Sequence, residues 1–226
     1  ISKYSLAELY VSEKNENIAL DKLASINKKS FFSLAGNLKR LSIIKSFKKN
    51  KVYQSLLIEQ SKRWPNNKFI LYKLANFYKS KKNYYDALKI YEQILLKDHQ
   101  NNSILFLYAT CLDKLGKWDL AKKILLNLIE KDINNPYPLN YLSYSLSLKN
   151  INLDKALSLI KKAIKIDPNN GFFLDTLGWV QYQRKDYKLA VFYLEKAVTL
   201  ESNSSEIINH LGDAYLMLGR INEAKY

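Results

Sequence analysis

The chain has 226 residues, 47% of them hydrophobic, which is typical of one or two globular domains. Its 36 lysines and arginines outnumber 21 acidic residues, for a formal net charge of +15. A single cysteine, Cys111, excludes an internal disulfide framework, and with only two histidines there is no zinc-site pattern. Charged or amide residues interrupt every apolar run before the roughly 20 residues that a membrane-spanning helix needs.

Scarce glycine and proline predict a mostly helical chain, and the helices follow an internal repeat of about 34 residues. In the first helix of a repeat, a large residue and a small one recur at Leu74-Ala75, Tyr108-Ala109, Leu177-Gly178 and Leu211-Gly212. In the second helix, a small residue recurs at Ala19, Ala87, Ala121, Ala156, Ala190 and Ala224. Such small residues allow the two helix backbones to approach closely.

Taken in chain order, the repeats are expected at about 1–33, 34–67, 68–101, 102–135, 136–170, 171–204 and from 205 onward. The second repeat is irregular, because Arg40, Leu41 and Tyr53 stand where large, small and small residues are usual. The fifth repeat carries one extra residue around 150–153. Since one repeat cannot bury its apolar face alone, we predict a single stacked array over residues 1–226.

This pattern resembles the tetratricopeptide repeat (TPR) family, and the resemblance covers nearly the whole chain. It implies an all-α fold, a right-handed superhelical solenoid of antiparallel helix pairs. From residue 139 onward the sequence is similar to long TPR proteins of Gram-negative bacteria, some of which are envelope adaptors. A cytoplasmic and a periplasmic or envelope-associated location both stay open. The incomplete first and last repeats lead us to expect a fragment of a longer protein.

Catalytic motifs are not found in the sequence, so we predict a protein that is not an enzyme and has no cofactor. There is neither a glycine-rich phosphate loop nor a nucleophile elbow. Cys111 lies beside a packing position and is expected to be a small buried hydrophobe. Asp175 and Asp213, on adjacent repeats, could face one cleft as acid/base carboxylates do, but ligand contact is the preferred interpretation.

The resemblance implies a concave groove lined by the first helices, which would bind a peptide segment of another protein. Its predicted lining is Tyr72, Lys73, Asn76, Phe106, Asn140, Tyr141, Tyr144, Asp175, Trp179, Tyr182, Asn209 and Asp213. Phe172, Glu206 and His210 also fall on groove positions. We expect about half of the groove's aromatic rings to belong to the core between repeats. Asn76, Asn140 and Asn209 could pair with a peptide main chain, because an amide side chain both donates and accepts hydrogen bonds.

Positive charge is concentrated near the start of the chain, where residues 1–67 hold thirteen basic against five acidic side chains. A predicted basic patch within residues 28–63 consists of Lys39, Arg40, Lys45, Lys48, Lys49 and Lys51. Nucleic acid or an anionic membrane is therefore an alternative partner. The preferred explanation of the basic excess is codon bias on solvated faces, because lysine, asparagine, isoleucine and tyrosine are all abundant, as in proteins from AT-rich genomes. Two further alternatives are the binding arm of a larger enzyme or envelope assembly, and self-association through uncapped ends.

Overall fold

The computed structural model describes residues 2–13, 15–27, 33–46 and 50–225. These residues form thirteen α-helices and one short 3-10 helix, Glu223–Lys225, and include no β-strand. The helices are α1 (Lys3–Ser12), α2 (Glu16–Ala24), α3 (Ser33–Ser46), α4 (Asn50–Arg63), α5 (Lys68–Ser80), α6 (Tyr84–Leu95), α7 (Asn102–Lys114), α8 (Trp118–Lys131), α9 (Pro136–Leu148), α10 (Leu153–Ile166), α11 (Gly171–Gln183), α12 (Tyr187–Leu200) and α13 (Ser205–Met217). The prediction of an all-α chain is confirmed.

Two compact units divide the chain, the N-lobe (residues 1–115) and the C-lobe (residues 116–226). Their boundary lies between α7 and α8, inside the predicted fourth repeat. In each lobe, helices that are consecutive in the chain pack together, and in the C-lobe the first helices α9, α11 and α13 also contact one another in series. The single array over residues 1–226 stays a prediction.

Asparagines fix where most of the first helices begin. The side chains of Asn67, Asn101, Asn135 and Asn170 each accept a hydrogen bond from a backbone N–H in the first turn of α5, α7, α9 and α11. Such a cap satisfies one of the four N–H groups that a helix leaves without an internal partner. The repeat is therefore marked at each of these positions by the same local chemistry.

Left-handed residues fix where the first helices end. Gly116 and Gly219 have φ values of 79° and 74°, and Lys82 and Lys185 adopt the same conformation after α5 and α11. The extra residue of the fifth repeat lies in a turn where Asn150 and Asn152 have φ values of 52° and 49°. Asparagine tolerates this conformation better than most residues, so α10 can start in register.

Small residues in the helix interfaces allow the close approach that the repeat predicts. Ala156 and Ala190 are fully buried. A Cβ at Gly178 would lie 2.6 Å from Leu194 Cγ and 3.2 Å from the carbonyl oxygen of Ala190. In the N-lobe, Tyr53 replaces the usual small residue, and its buried ring lies 5.7 Å from that of Phe77. The irregular second repeat thus fills its interface with aromatic rings.

Candidate binding site

The first helices of three successive repeats in the C-lobe line a small pocket of about 140 Å³. Its lining residues are Asn140, Tyr141 and Tyr144 from α9, Phe172, Asp175 and Thr176 from α11, and Glu206 from α13. This placement follows from the repeat, because positions about 34 residues apart lie side by side on neighbouring first helices. We call this cavity the C-lobe pocket.

A buried histidine is hydrogen-bonded to one of the acidic side chains that line the C-lobe pocket. His210 Nδ1 lies 2.8 Å from Asp175 Oδ1, and the two residues are only 8% and 6% exposed. Burial raises the pKa of the Asp175 carboxyl and the nearby Glu206 raises it further, whereas the hydrogen bond from His210 opposes that rise. The contact joins α11 to α13 and fixes the orientation of both side chains.

Aromatic rings are stacked beside this pair. The indole of Trp179 lies 4.2 Å from the His210 ring on one side and 4.6 Å from the Tyr182 ring on the other, with interplanar angles of 22° and 5°. The Tyr187 ring meets Tyr182 edge-on at 5.4 Å. Half-buried rings held in this way form a rigid platform, since each is restrained by its neighbours.

Tyr144 connects α9 to α13 at the mouth of the pocket. Its hydroxyl donates a 2.5 Å hydrogen bond to Glu206 Oε1. Burial raises the pKa of Tyr144 well above its usual value, and the bond to Glu206 adds to the rise. By contrast, two buried atoms of this site lack a hydrogen-bond partner among the described residues, Asn140 Oδ1 and Trp179 Nε1.

The C-lobe groove residues predicted from the sequence separate into three groups. Asn140, Tyr141, Tyr144 and Asp175 line the pocket, while Trp179 and Tyr182 form the stack next to it. Asn209 and Asp213 are exposed and line a separate cavity of about 900 Å³ near the end of α13. Asp175 lines the C-lobe pocket and is hydrogen-bonded to His210, whereas Asp213 lines the larger cavity. The two aspartates therefore do not line a common pocket.

Two features of the site were missed in the sequence. Thr176 lines the pocket but falls outside the predicted groove positions. The pairing of Asp175 with His210 was also missed, although both residues were placed in the groove. The sequence signal for this pairing is their separation of 35 residues, one repeat plus one position. Residues at this separation lie on neighbouring first helices, close enough for contact.

In the N-lobe, Tyr72, Lys73 and Asn76 line a cavity of about 380 Å³ together with Lys45. The Asn76 amide oxygen accepts a 2.6 Å hydrogen bond from the hydroxyl of the buried Tyr91, so that oxygen is engaged within the protein. Phe106 on α7 is half-buried. Of the four groove positions predicted in the N-lobe, Tyr72, Lys73 and Asn76 share this cavity, and Phe106 is not among its lining residues.

The predicted basic patch is only partly available to a ligand. Lys39 Nζ lies 3.2 Å from Glu8 Oε1, and Arg40 donates to Asn37 Oδ1 at 3.2 Å. Lys45 and Lys51 are exposed. Lys48 and Lys49 lie outside the described residues. The binding of nucleic acid or an anionic membrane stays a prediction.

Metal-binding groups and membrane-spanning helices are the remaining features to consider. Over residues 2–13, 15–27, 33–46 and 50–225, no group of three or more His, Cys, Asp or Glu side chains could hold a metal ion. Cys111 is fully buried, and burial raises the pKa of its thiol, which agrees with the predicted packing role. Within the same range, every helix is too short or too polar to cross a membrane.

Comparison with known proteins decides the family. A family model described as tetratricopeptide repeat matches residues 78–138, and a second with the same description matches residues 173–204. The chain is a tetratricopeptide repeat protein. The matched regions cover part of the third repeat, the whole of the fourth and nearly all of the sixth.

The curated relatives match only part of the chain. It is 36% identical over 109 residues to a TPR repeat-containing protein of Methanocaldococcus jannaschii, covering 48% of this chain and 19% of that protein. It is 28% identical over 111 residues to a TPR repeat-containing protein of Pseudomonas aeruginosa, covering 49% and 19%. The mitochondrial import receptor subunit TOM70 of Mus musculus is 27% identical over 139 residues, covering 62% and 23%. The matched segments thus span about a fifth of these relatives.

Solved structures share the fold. A tetratricopeptide repeat protein from Parabacteroides merdae superposes with a TM-score of 0.84 over 98% of this chain and 88% of that chain, at 13% identity. A thermophilic TPR protein of Thermus thermophilus gives 0.64 over 70% and 86%, at 24% identity. The likeness confirms a solenoid of helix pairs. TPR proteins generally bind other proteins and are generally non-catalytic, so this chain is a protein-interaction scaffold in that general sense.

Proposed function

We propose that this TPR protein holds a segment of a partner protein on the C-lobe face formed by α9, α11 and α13. The observation that carries the proposal is the arrangement of aromatic rings around the C-lobe pocket. The pocket lies between three consecutive first helices, and the stacked rings of Trp179 and Tyr182 lie beside it. Hydrophobic and aromatic walls with a few polar groups are typical of binding pockets.

Exposed aromatic rings on the same helices give the face its apolar contact surface. Phe172 on α11 is 51% exposed and Tyr137 on α9 is 57% exposed. The Tyr137 ring packs edge-on against the buried Phe173 at 6.0 Å, so it is held although it is exposed. Rings that are already positioned lose little conformational freedom on binding, which favours their use as anchors.

Two side-chain contacts between first helices support a face that is formed before binding. The bond between Asp175 and His210 and the bond between Tyr144 and Glu206 both tie α13 to an earlier first helix. The face is therefore assembled before a partner arrives, and the partner bears the ordering cost. A segment with little structure of its own fits this role, either extended or as a short helix.

A matched pair of substitutions tests the proposal. Phe172→Ala removes an exposed ring from the pocket wall, and Phe192→Ala removes a ring of similar exposure, 47%, from the second helix α12. Peptides are first selected on the wild-type chain from a random library displayed on phage. We expect Phe172→Ala to weaken their binding at least about tenfold, as a central aromatic contact would. Phe192→Ala should leave the dissociation constant within about twofold.

The measurement is fluorescence polarisation of the selected peptides, with circular dichroism to check that both variants keep their helical content. Equal affinity of the two variants for every selected peptide would place the binding surface elsewhere. Failure to select any peptide that binds the wild-type chain would also contradict the proposal.

A further inference from the structure

The C-lobe pocket has the size of one side chain. Its volume of about 140 Å³ corresponds to roughly five water molecules at their share of liquid volume. The rings of Tyr141, Tyr144 and Phe172 form its walls. A partner held on this face would therefore place one long side chain in the pocket, while its other residues stay outside.

Two hydroxyl donors that line the pocket are already used within the protein. The Tyr144 hydroxyl donates to Glu206 Oε1, and the Thr176 hydroxyl donates to the carbonyl oxygen of Phe172 at 3.1 Å. Acceptors remain, because each of the two carboxylates in the lining, Asp175 and Glu206, has more than one acceptor position. An occupant with N–H donors would pair with them.

The charges around the pocket are negative. Asp175 and Glu206 line it from α11 and α13, and no lysine, arginine or histidine is among its lining residues. His210 lies behind Asp175 and is hydrogen-bonded to one oxygen of that carboxylate. An acidic side chain would be repelled, and a neutral apolar one would leave the acceptors without partners. A positively charged group in the pocket would be attracted both to the two carboxylates and to the aromatic rings of the walls.

We infer that the C-lobe pocket receives a cationic side chain, arginine or lysine, from the partner segment. This inference rests on the proposed function, since it names the residue class that anchors the bound segment. The carboxylates of Asp175 and Glu206 accept its N–H groups, and the rings of the wall enclose its aliphatic stem.

The probes are single residues, so that the pocket is tested without a full peptide. N-acetyl-arginine methylamide and its lysine counterpart are titrated into the whole chain and followed by ¹H–¹⁵N NMR. The neutral citrulline analogue has nearly the shape of arginine and is the matched control. We expect saturable shifts confined to α9, α11 and α13 for at least one cationic probe, and at least about tenfold weaker binding of citrulline.

Three variants separate recognition of charge from a structural effect. Glu206→Gln should weaken the cationic probe at least about tenfold, and Glu130→Gln, an exposed carboxylate on α8, should leave it unchanged. Tyr144→Phe removes the hydroxyl that occupies Glu206 and keeps the ring, so binding should be retained or strengthened. Loss of binding in Tyr144→Phe equal to that in Glu206→Gln would assign the effect to the structural bond and overturn the inference.

The remaining outcomes are also decisive. Citrulline binding as tightly as arginine, or the absence of any saturable shift, would overturn the inference. Selected peptides that lose affinity in Phe172→Ala yet need no basic residue would overturn it as well, while the proposed function stands. The inference would be supported if the selected peptides require one arginine or lysine for binding. Their affinity should then be unchanged in Glu130→Gln and lowered in Glu206→Gln.

Discussion

At the scale of single residues, the two glycines of the repeat signature have different surroundings. Gly178 and Gly212 lie 34 residues apart at equivalent positions. A Cβ at Gly178 would come within 2.6 Å of Leu194 Cγ and 3.2 Å of a backbone oxygen. Among the described residues, a Cβ at Gly212 would meet the Ala224 oxygen at 3.6 Å, an ordinary contact, and no other atom outside its own helix. The same sequence pattern therefore occurs at a tightly packed helix interface, at Gly178, and at a loosely packed one, at Gly212.

Alanine substitutions at these glycines should have opposite effects. Gly178→Ala is expected to lower the free energy of unfolding by about 1–3 kcal/mol through overpacking. Gly212→Ala should raise it by up to about 1 kcal/mol, because alanine is the better helix former. Urea denaturation of both variants measures the difference. A gain in stability from Gly178→Ala would show that Leu194 moves aside without cost.

Asp175 should make stability depend on pH. Its pKa in the folded protein is raised by burial, so the folded state holds the proton more tightly than the unfolded chain. The stabilisation is complete below the unfolded pKa of about 4 and is lost as pH rises through the folded pKa. The free energy of unfolding of wild type minus that of Asp175→Asn should therefore decrease between pH 4 and pH 7.

Urea denaturation at both pH values checks this sign. Asparagine keeps an acceptor for His210 Nδ1, so the comparison isolates the charge more than the hydrogen bond. A difference that is constant with pH, or that grows towards pH 7, would show that the contact with His210 outweighs burial.

At the scale of helices, capping is the local chemistry that the sequence shows most clearly. Asn170 accepts a hydrogen bond from the backbone N–H of Phe173 and donates to Asp167. We expect Asn170→Ala to lower the free energy of unfolding by about 1 kcal/mol. Asn127→Ala, at an exposed position within α8, is the control and should be neutral or slightly stabilising. If thermal unfolding shows the same midpoint for both variants, the cap contributes nothing measurable.

The helices and the face they form could be predicted from the sequence because both depend on a fixed period. A spacing of 34 residues placed Asn140, Tyr144, Asp175 and Trp179 on first helices, where the structure has them. The period fixes only which residues share a face. It could not show that Asp175 pairs with His210, because that contact depends on the distance between neighbouring repeats and on side-chain rotamers.

The sequence also could not predict which aromatic rings of the groove pack against other rings and which are exposed. Trp179 and Tyr182 are stacked against each other, whereas Phe172 is half-exposed on the same helix. All three stand on predicted groove positions. Whether such a ring packs or is free depends on its neighbours in the next repeat, and the repeat pattern leaves these free to vary.

At the scale of the whole molecule, the excess of basic over acidic side chains decreases along the chain, although the helical repeat continues. Residues 1–67 carry eight more basic than acidic side chains, and residues 136–226 carry only two more. The N-lobe cavity contains Lys45 and Lys73, while the C-lobe pocket contains Asp175 and Glu206. Each lobe therefore offers a partner an electrostatic surface of its own, built on the same helical repeat.

The claim that the first-helix face of the C-lobe holds a partner protein is tested most directly by photo-crosslinking. Benzoylphenylalanine is introduced at Phe172 on α11 or at Phe192 on α12, and each variant is irradiated in an extract of its own organism. We predict that Phe172 forms a crosslink to a discrete protein band and that Phe192 does not. Equal crosslinking from both positions, or from Phe192 alone, would contradict the account.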